Sequence, residues 1–182
     1  PMGLVVAVSG LPAAGKGVFA EILADTGIPV RSMGDMVRAE VKLLELKEEP
    51  HIFGEVAAKM REDHGDDVLA QRLISTVDEL LKENEIVLIE GLRGTAEREV
   101  FANHWGDNLL IVAIIASRNL RFERVQSRAR AEDGSLADLD ARDVRETGWG
   151  LDRIIEESDI KFTNESNLDD FRNEVSYWLN SL

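Results

Sequence analysis

The chain has 182 residues, 44% hydrophobic and 31% charged, with no cysteine. This balance suits one soluble globular domain that buries roughly two-thirds of its unfolded surface, and it rules out a disulfide framework or a thiolate metal site. Thirty-five acidic against 21 basic residues set the net charge at −14, which opposes diffuse attraction to nucleic-acid backbones or anionic membranes, and no apolar run approaches the ~18 residues of a membrane span.

The first element is the nearly continuous apolar run from Leu4 to Ser9, the pattern of a parallel strand buried on both faces. It breaks into Gly10-Leu11-Pro12-Ala13-Ala14-Gly15-Lys16-Gly17-Val18 and enters a helical pattern from Lys16 to about Ala24. The spacing G-x-x-x-x-G-K between a strand and a helix is the P-loop pattern: glycines let backbone N–H groups turn inward, the lysine adds a mobile positive charge, and the helix presents its positive end. The plainer alternative is a tight turn with a surface lysine. The hydroxyl that usually follows the lysine is missing, since Gly17 and Val18 carry none.

A second strand is expected from Pro29 to Met33, then Gly34 and Asp35, with Asp35 capping a helix that carries Met36, Val37, Val41 and Leu44. Helical patterns at 35–47, 51–63 and 66–83 follow, a crossover several times longer than closing a parallel pair demands, and so a helical insert, 35–84, that covers something. Ile86 to Arg93 reads as the third strand, its apolar run ending in Glu90 and Gly91; an acid at such a strand end beside a P-loop serves either as a magnesium ligand, directly or through water, or as a solvated surface group. A helix from Thr95 to about Trp105 and a fourth strand from Leu109 to Ala116 come next.

Residues 118–145 then hold seven arginines (118, 121, 124, 128, 130, 142, 145) and no lysine, against six acids. Arg121, Arg124 and Arg128 share one helix face, and the arginines serve either as bidentate phosphate ligands or as salt-bridge partners of those acids. Ile160 to Thr163 is a short fifth strand, Asn164 to Asn167 a turn and cap, and a last helix carries Phe171, Val175, Trp178 and Leu179 at core spacing. The histidines at 51, 64 and 104 show no ligand spacing, so no transition-metal site is expected. Strands alternating with helices predict an α/β fold with a five-stranded parallel sheet flanked by helices and a ligand site at the carboxyl ends of the strands. The loop at 10–17, Asp35, Glu90 to Arg93 and the arginine helix all fall at such ends, the inventory of phosphoryl transfer.

Gly10 to Gly17, the segment Met33-Gly34-Asp35-Met36-Val37-Arg38 and the strand end Glu90-Gly91-Leu92-Arg93 resemble adenylate kinase and its nucleoside-monophosphate-kinase relatives, in the same order and at similar spacing. The run Ser158 to Ser166 looks more like dephospho-coenzyme A kinase, and the whole chain is similar to an archaeal family related to these kinases. With a carboxylate-rich composition holding only six lysines, that likeness points to a halophilic archaeon, whose molar salt screens self-repulsion. The resemblance implies a P-loop kinase fold of the nucleotide-kinase type, with a core from 1–34, 85–128 and 142–182, an acceptor-binding insert at 35–84 and a short lid at 129–141. It implies ATP and Mg2+ as cofactors, with the nucleotide bound by Gly10, Leu11, Pro12, Ala13, Ala14, Gly15, Lys16, Gly17 and Val18, Arg124 against its adenine and Asn164 nearby.

By the same resemblance Arg38 and Arg93 grip the acceptor's phosphate, Arg128 reaches the transferring phosphates, and Arg142 and Arg145 close over them. Lys16, Asp35, Arg93, Arg128, Arg142 and Arg145 thus form the expected catalytic set. Asp35 and Glu90 would hold magnesium through water, Asp35 also serving as acceptor ligand or, in the coenzyme version, as base toward a ribose hydroxyl. The expected activity is transfer of the γ-phosphate of ATP to a nucleoside monophosphate; transfer to dephospho-coenzyme A and a nucleotide-binding switch or ATPase are the alternatives. The expected partners are small nucleotides, with no general nucleic-acid binding, no membrane and an open oligomeric state. No charged leader or cleavage pattern precedes the first strand, so a cytoplasmic location is expected.

Overall fold

The opening apolar run becomes the central strand of the sheet. In this computed structural model, which describes residues 3–128 and 135–182, β1 (Leu4–Ser9) is flanked by β3 (Ile86–Glu90) and β4 (Leu109–Ile115), with β2 (Val30–Ser32) and β5 (Ile160–Thr163) outside them in the order β2-β3-β1-β4-β5. All four pairings are parallel. Ser32 and Val8 both pair with Glu90, so β2 and β3 end on one rung, one residue short of the end of β1 at Ser9, and the three release their loops at one edge.

Alternate residues of the strands feed two cores, as the twofold side-chain period requires. Val6, Val8, Leu88, Val112 and Ile114 face α1 (Lys16–Asp25) and α9 (Leu168–Asn180). There Phe19 lies 6.0 Å from Phe162 and 5.9 Å from Trp178 between ring centroids. Val5, Ala7, Val87 and Ile89 face the other way, into one cluster with α2 (Met33–Leu43), α3 (Pro50–His64), α4 (Val68–Leu80), α5 (Thr95–Trp105) and Ile154 of α8 (Leu151–Glu156). Each fully buried Leu, Ile or Phe here stabilises the fold by about 1.5–3 kcal/mol, so α2–α4 are seated on the sheet by the core itself. The remaining helices are α6 (Arg118–Arg128) and α7 (Leu136–Thr147).

Several boundaries move. The second strand stops at Ser32, and Met33 opens α2, because the Ser32 hydroxyl accepts the Asp35 N–H at 3.3 Å while Asp35 Oδ2 accepts the Ser32 N–H at 2.7 Å. Ser32 is therefore the N-cap, and Asp35 is its reciprocal partner three residues on. The helix ends at Leu43, short of residue 47, and Glu45 takes a left-handed backbone at φ 56°. The third strand ends at Glu90 rather than Arg93. The helices α7 (Leu136–Thr147) and α8 (Leu151–Glu156) are not expected from the sequence as separate elements; α7 carries the arginines at 142 and 145. Among the described residues no helix is long and apolar enough to cross a membrane.

Candidate functional site

The loop between β1 and α1 is held from behind. Asn164, buried, donates its amide to the Ala14 carbonyl at 2.9 Å. The Arg124 guanidinium donates to the carbonyls of Ala13 (3.3 Å), Ala14 (3.1 Å) and Asn164, and Arg121 donates to that of Pro12 at 3.3 Å. The carbonyls of Pro12, Ala13 and Ala14 are thus held from one side, and within the loop the Ala14 N–H donates to the Leu11 carbonyl at 3.2 Å. Ala13 adopts φ 64° and Gly15 φ 118°, and a Cβ on Gly15 would lie 2.3 Å from the Asn164 amide, while one on Gly10 would lie 2.6 Å from the Ile114 carbonyl. Only glycine fits at both. The α1 N-terminus carries no side-chain cap and no acid in its first turn, which leaves its orphan N–H groups and positive dipole end for an anion.

Lys16 folds back to donate to the Gly10 carbonyl. Burial lowers its ammonium to about 8, and the positive charges of Arg93 and Arg142 push the same way, while Glu146 and Glu90 oppose them. Five charged side chains from the P-loop, both sides of the β3 terminus and α7 therefore share one spot. The β3–α5 connection is fixed there by Ser9, a buried hydroxyl on β1 that donates to the Leu92 carbonyl at 2.7 Å.

Helix α7 clasps three arginines with a stripe of acids at three-residue spacing. Asp140 takes Arg118 through two bonds of 2.7 and 2.6 Å, and Asp143 takes buried Arg121 through two of 2.9 and 2.8 Å. Glu146 takes Arg93 Nε at 3.0 Å. The salt-bridge alternative is thus the observed one at Arg118 and Arg121. Glu146 is buried, and its second oxygen has no hydrogen-bond partner; the sequence reading missed it, though the spacing Asp140, Asp143, Glu146 was a visible signal. Arg142 lies on the same helix near Lys16, and Arg145 is exposed. The side chain of Arg128 and residues 129–134 of the expected lid lie outside the described residues.

On the far side of Arg93 opens a cavity of about 820 Å3, within the ~300–1,000 Å3 usual for ligand sites. Arg38, Arg61 and Arg93 line it with Glu90, Glu97, Trp149 and an apolar floor that includes Val37 and Leu69. Arg38 also reaches Asp35 and the Ser32 hydroxyl. Asp35 itself, with one oxygen on the Ser32 N–H and the other on Arg38, is not among the lining residues. Burial raises the Glu97 carboxyl, against Arg61 and two backbone N–H donors that lower it. Arg61, Glu97 and Trp149 were not among the residues singled out from sequence. No group of three or more metal-type ligands occurs among the described residues.

A five-stranded parallel sheet with a glycine-lysine loop at its carboxyl edge and arginines from separate elements around it is a P-loop kinase fold. Dephospho-CoA kinase from Campylobacter jejuni shares it at a TM-score of 0.63 and 18% identity, over 97% of this chain and 96% of that one. The sequence profile of the AAA domain family matches residues 9–141. A UPF0200 protein from Methanosarcina barkeri is 38% identical over 172 residues, 94% of this chain and 91% of that protein. A UPF0200/UPF0201 protein from Archaeoglobus fulgidus is 39% identical over 94% of this chain, which spans 53% of that longer protein. The chain belongs to the UPF0200 family of AAA-domain proteins.

Proposed function

We propose that the protein is an ATP-dependent phosphotransferase that moves the γ-phosphoryl group to a nucleotide-like acceptor, a nucleoside monophosphate. One observation carries this reading: Arg93 belongs to both halves of the site, lining the cavity beside Arg38 and standing close enough to Lys16 to lower its ammonium. A cation at that junction neutralises donor and acceptor together, which is the main task of phosphoryl transfer.

In this scheme the loop from Gly10 to Val18, through the N–H groups not used within it (Pro12 has none and that of Ala14 serves Leu11), and the Lys16 ammonium hold the ATP phosphates, with Arg124 and Asn164 fixing the loop from behind. Arg38 and Arg93 bind the acceptor's phosphate, and Arg142, Arg145 and Arg128 supply positive charge from α7 and α6. A monophosphate acceptor is already ionised and needs no base. Asp35 is committed to the Ser32 N–H and to Arg38, an arrangement that favours such an acceptor over a ribose hydroxyl.

Magnesium binds through one or two carboxylates, phosphate oxygens and water rather than an all-protein cage. Glu90 fits that role: it ends β3 on the rung of Val8 and sits near Lys16, whereas Asp35, with both oxygens engaged at the start of α2, would reach the ion only through water. When bound, the ion would offset phosphate charge that Gly17 and Val18, without a hydroxyl, cannot help to anchor.

The test is ATP-dependent product formation on a panel of nucleoside monophosphates and dephospho-coenzyme A, with magnesium in molar potassium chloride. Phosphorylation of a monophosphate is expected. Transfer to the coenzyme alone would reverse the acceptor assignment, and tight ATP binding without acceptor-stimulated turnover would replace the kinase reading with a nucleotide switch.

A further inference from the structure

Trp149 is the odd member of the cavity wall. Of the three tryptophans, Trp105 is 2% exposed in the core and Trp178 packs on Phe19 and Phe162. Trp149 is 49% exposed. Its backbone is nevertheless pinned: its N–H donates to the Glu146 carbonyl at 3.0 Å and its carbonyl accepts the Thr95 N–H at 3.1 Å. The turn between α7 and α8 is thereby tied to the start of α5, which sets Trp149 in the cavity wall with about half of its surface uncovered.

A lone exposed tryptophan on a convex surface would call for no explanation. This one lines a cavity that also carries Arg38, Arg61 and Arg93. The combination has a chemical meaning: guanidinium groups take the oxygens of a phosphate, and an indole takes the face of a planar ring. A sugar phosphate or a phosphorylated acid would use the arginines but bring no planar π-face to the indole.

We propose that Trp149 is the platform on which the acceptor's aromatic ring stacks, so that the cavity selects aromatic phosphate esters, with Arg61 joining Arg38 and Arg93 around the phosphate. The assignment rests on the kinase reading of this cavity, and it makes Trp149 a specificity-determining residue.

The experiment is intrinsic fluorescence and calorimetry of the whole chain in molar potassium chloride. The titrants are adenosine, cytidine, guanosine and uridine monophosphates, dephospho-coenzyme A and ribose 5-phosphate. At least one aromatic ester should quench emission and bind tighter than ribose 5-phosphate; which ester does so names the source of the ring. Trp149→Leu should abolish the quench and weaken that ester about 10-fold, with ribose 5-phosphate and ATP affinities unchanged, and Trp149→Phe should recover most of the binding. Equal affinity of the wild type and Trp149→Leu for every aromatic ester, or ribose 5-phosphate binding as tightly as any of them, would overturn the proposal. Transfer assays on the same proteins separate the two readings. An ester held by Trp149 but never phosphorylated removes the kinase and leaves the platform, whereas an aromatic acceptor phosphorylated with the same KM by wild type and Trp149→Leu does the reverse.

Discussion

Glu146 gives one carboxylate oxygen to Arg93 Nε at 3.0 Å and keeps the other buried without a donor. The pair ties α7 to the β3–α5 connection, and its charge also reaches Lys16, whose ammonium Glu146 raises against burial. Glu146→Gln keeps the shape and removes the charge. The Lys16 ammonium should then titrate below its present value of about 8, and the pH profile of ATP binding should shift to lower pH. An unshifted profile would show that the carboxylate does not act on the lysine.

Lys16 sets a proton linkage of its own. Its folded ammonium is lowered from 10.5 to about 8, so between those values the unfolded chain binds more protons and this group favours the fold increasingly as pH rises. Phosphate binding works in the opposite direction, because an anion beside Lys16 restores its charge. ATP binding should weaken as pH climbs through about 8 and should take up protons there, seen as a buffer-dependent heat in calorimetry. Lys16→Ala should lose that uptake and turnover while keeping its circular dichroism spectrum.

Gly15 has both a left-handed backbone and no room for a side chain, with the Asn164 amide 2.3 Å from where a Cβ would sit. Gly15→Ala should destabilise the protein by about 1–3 kcal/mol and displace Asn164 from Ala14. Denaturant unfolding gives the first, and loss of ATP protection against proteolysis the second. A variant with wild-type stability and wild-type ATP affinity would contradict the loop geometry.

Arg121 is 3% exposed and paired at both ends with Asp143. Breaking a buried pair from one side strands the other charge and costs about 3–5 kcal/mol. Arg121→Met should therefore destabilise more than Arg121→Met combined with Asp143→Leu, and a double-mutant cycle should return a coupling above about 1 kcal/mol. Additive effects would remove the clasp.

The net charge of −14 strains the compact state through self-repulsion that salt screens. The melting temperature should rise between low and molar potassium chloride. A flat curve would dissociate the composition from salt.

The parts of this protein written in local sequence were legible from it. The apolar runs at Leu4, Ile86 and Leu109 announce strands buried on both faces, and the glycine spacing with Lys16 announces the cradle, because backbone curvature and strand burial each depend on a few adjacent residues. That the loop, Glu90 and Arg93 fall at the carboxyl ends of the strands followed from the parallel α/β pattern; the strand order β2-β3-β1-β4-β5 did not. Charge partners did not. Arg118 and Arg121 could serve phosphates or acids, and what assigns them is a helix whose Asp140 and Asp143 repeat their three-residue spacing 22 positions away.

The same division runs through the site. By itself the sequence determined a glycine-lysine loop between a strand and a helix, a parallel sheet and the pool of cations around them, since these depend on residue type and short spacing. Only the tertiary structure decided that Asn164, 150 residues from Ala14, braces the loop, and that Glu146 and Trp149 stand at the junction and wall of the cavity. Those contacts are made by elements distant in sequence, and their partners are selected by packing and burial, which no local pattern encodes.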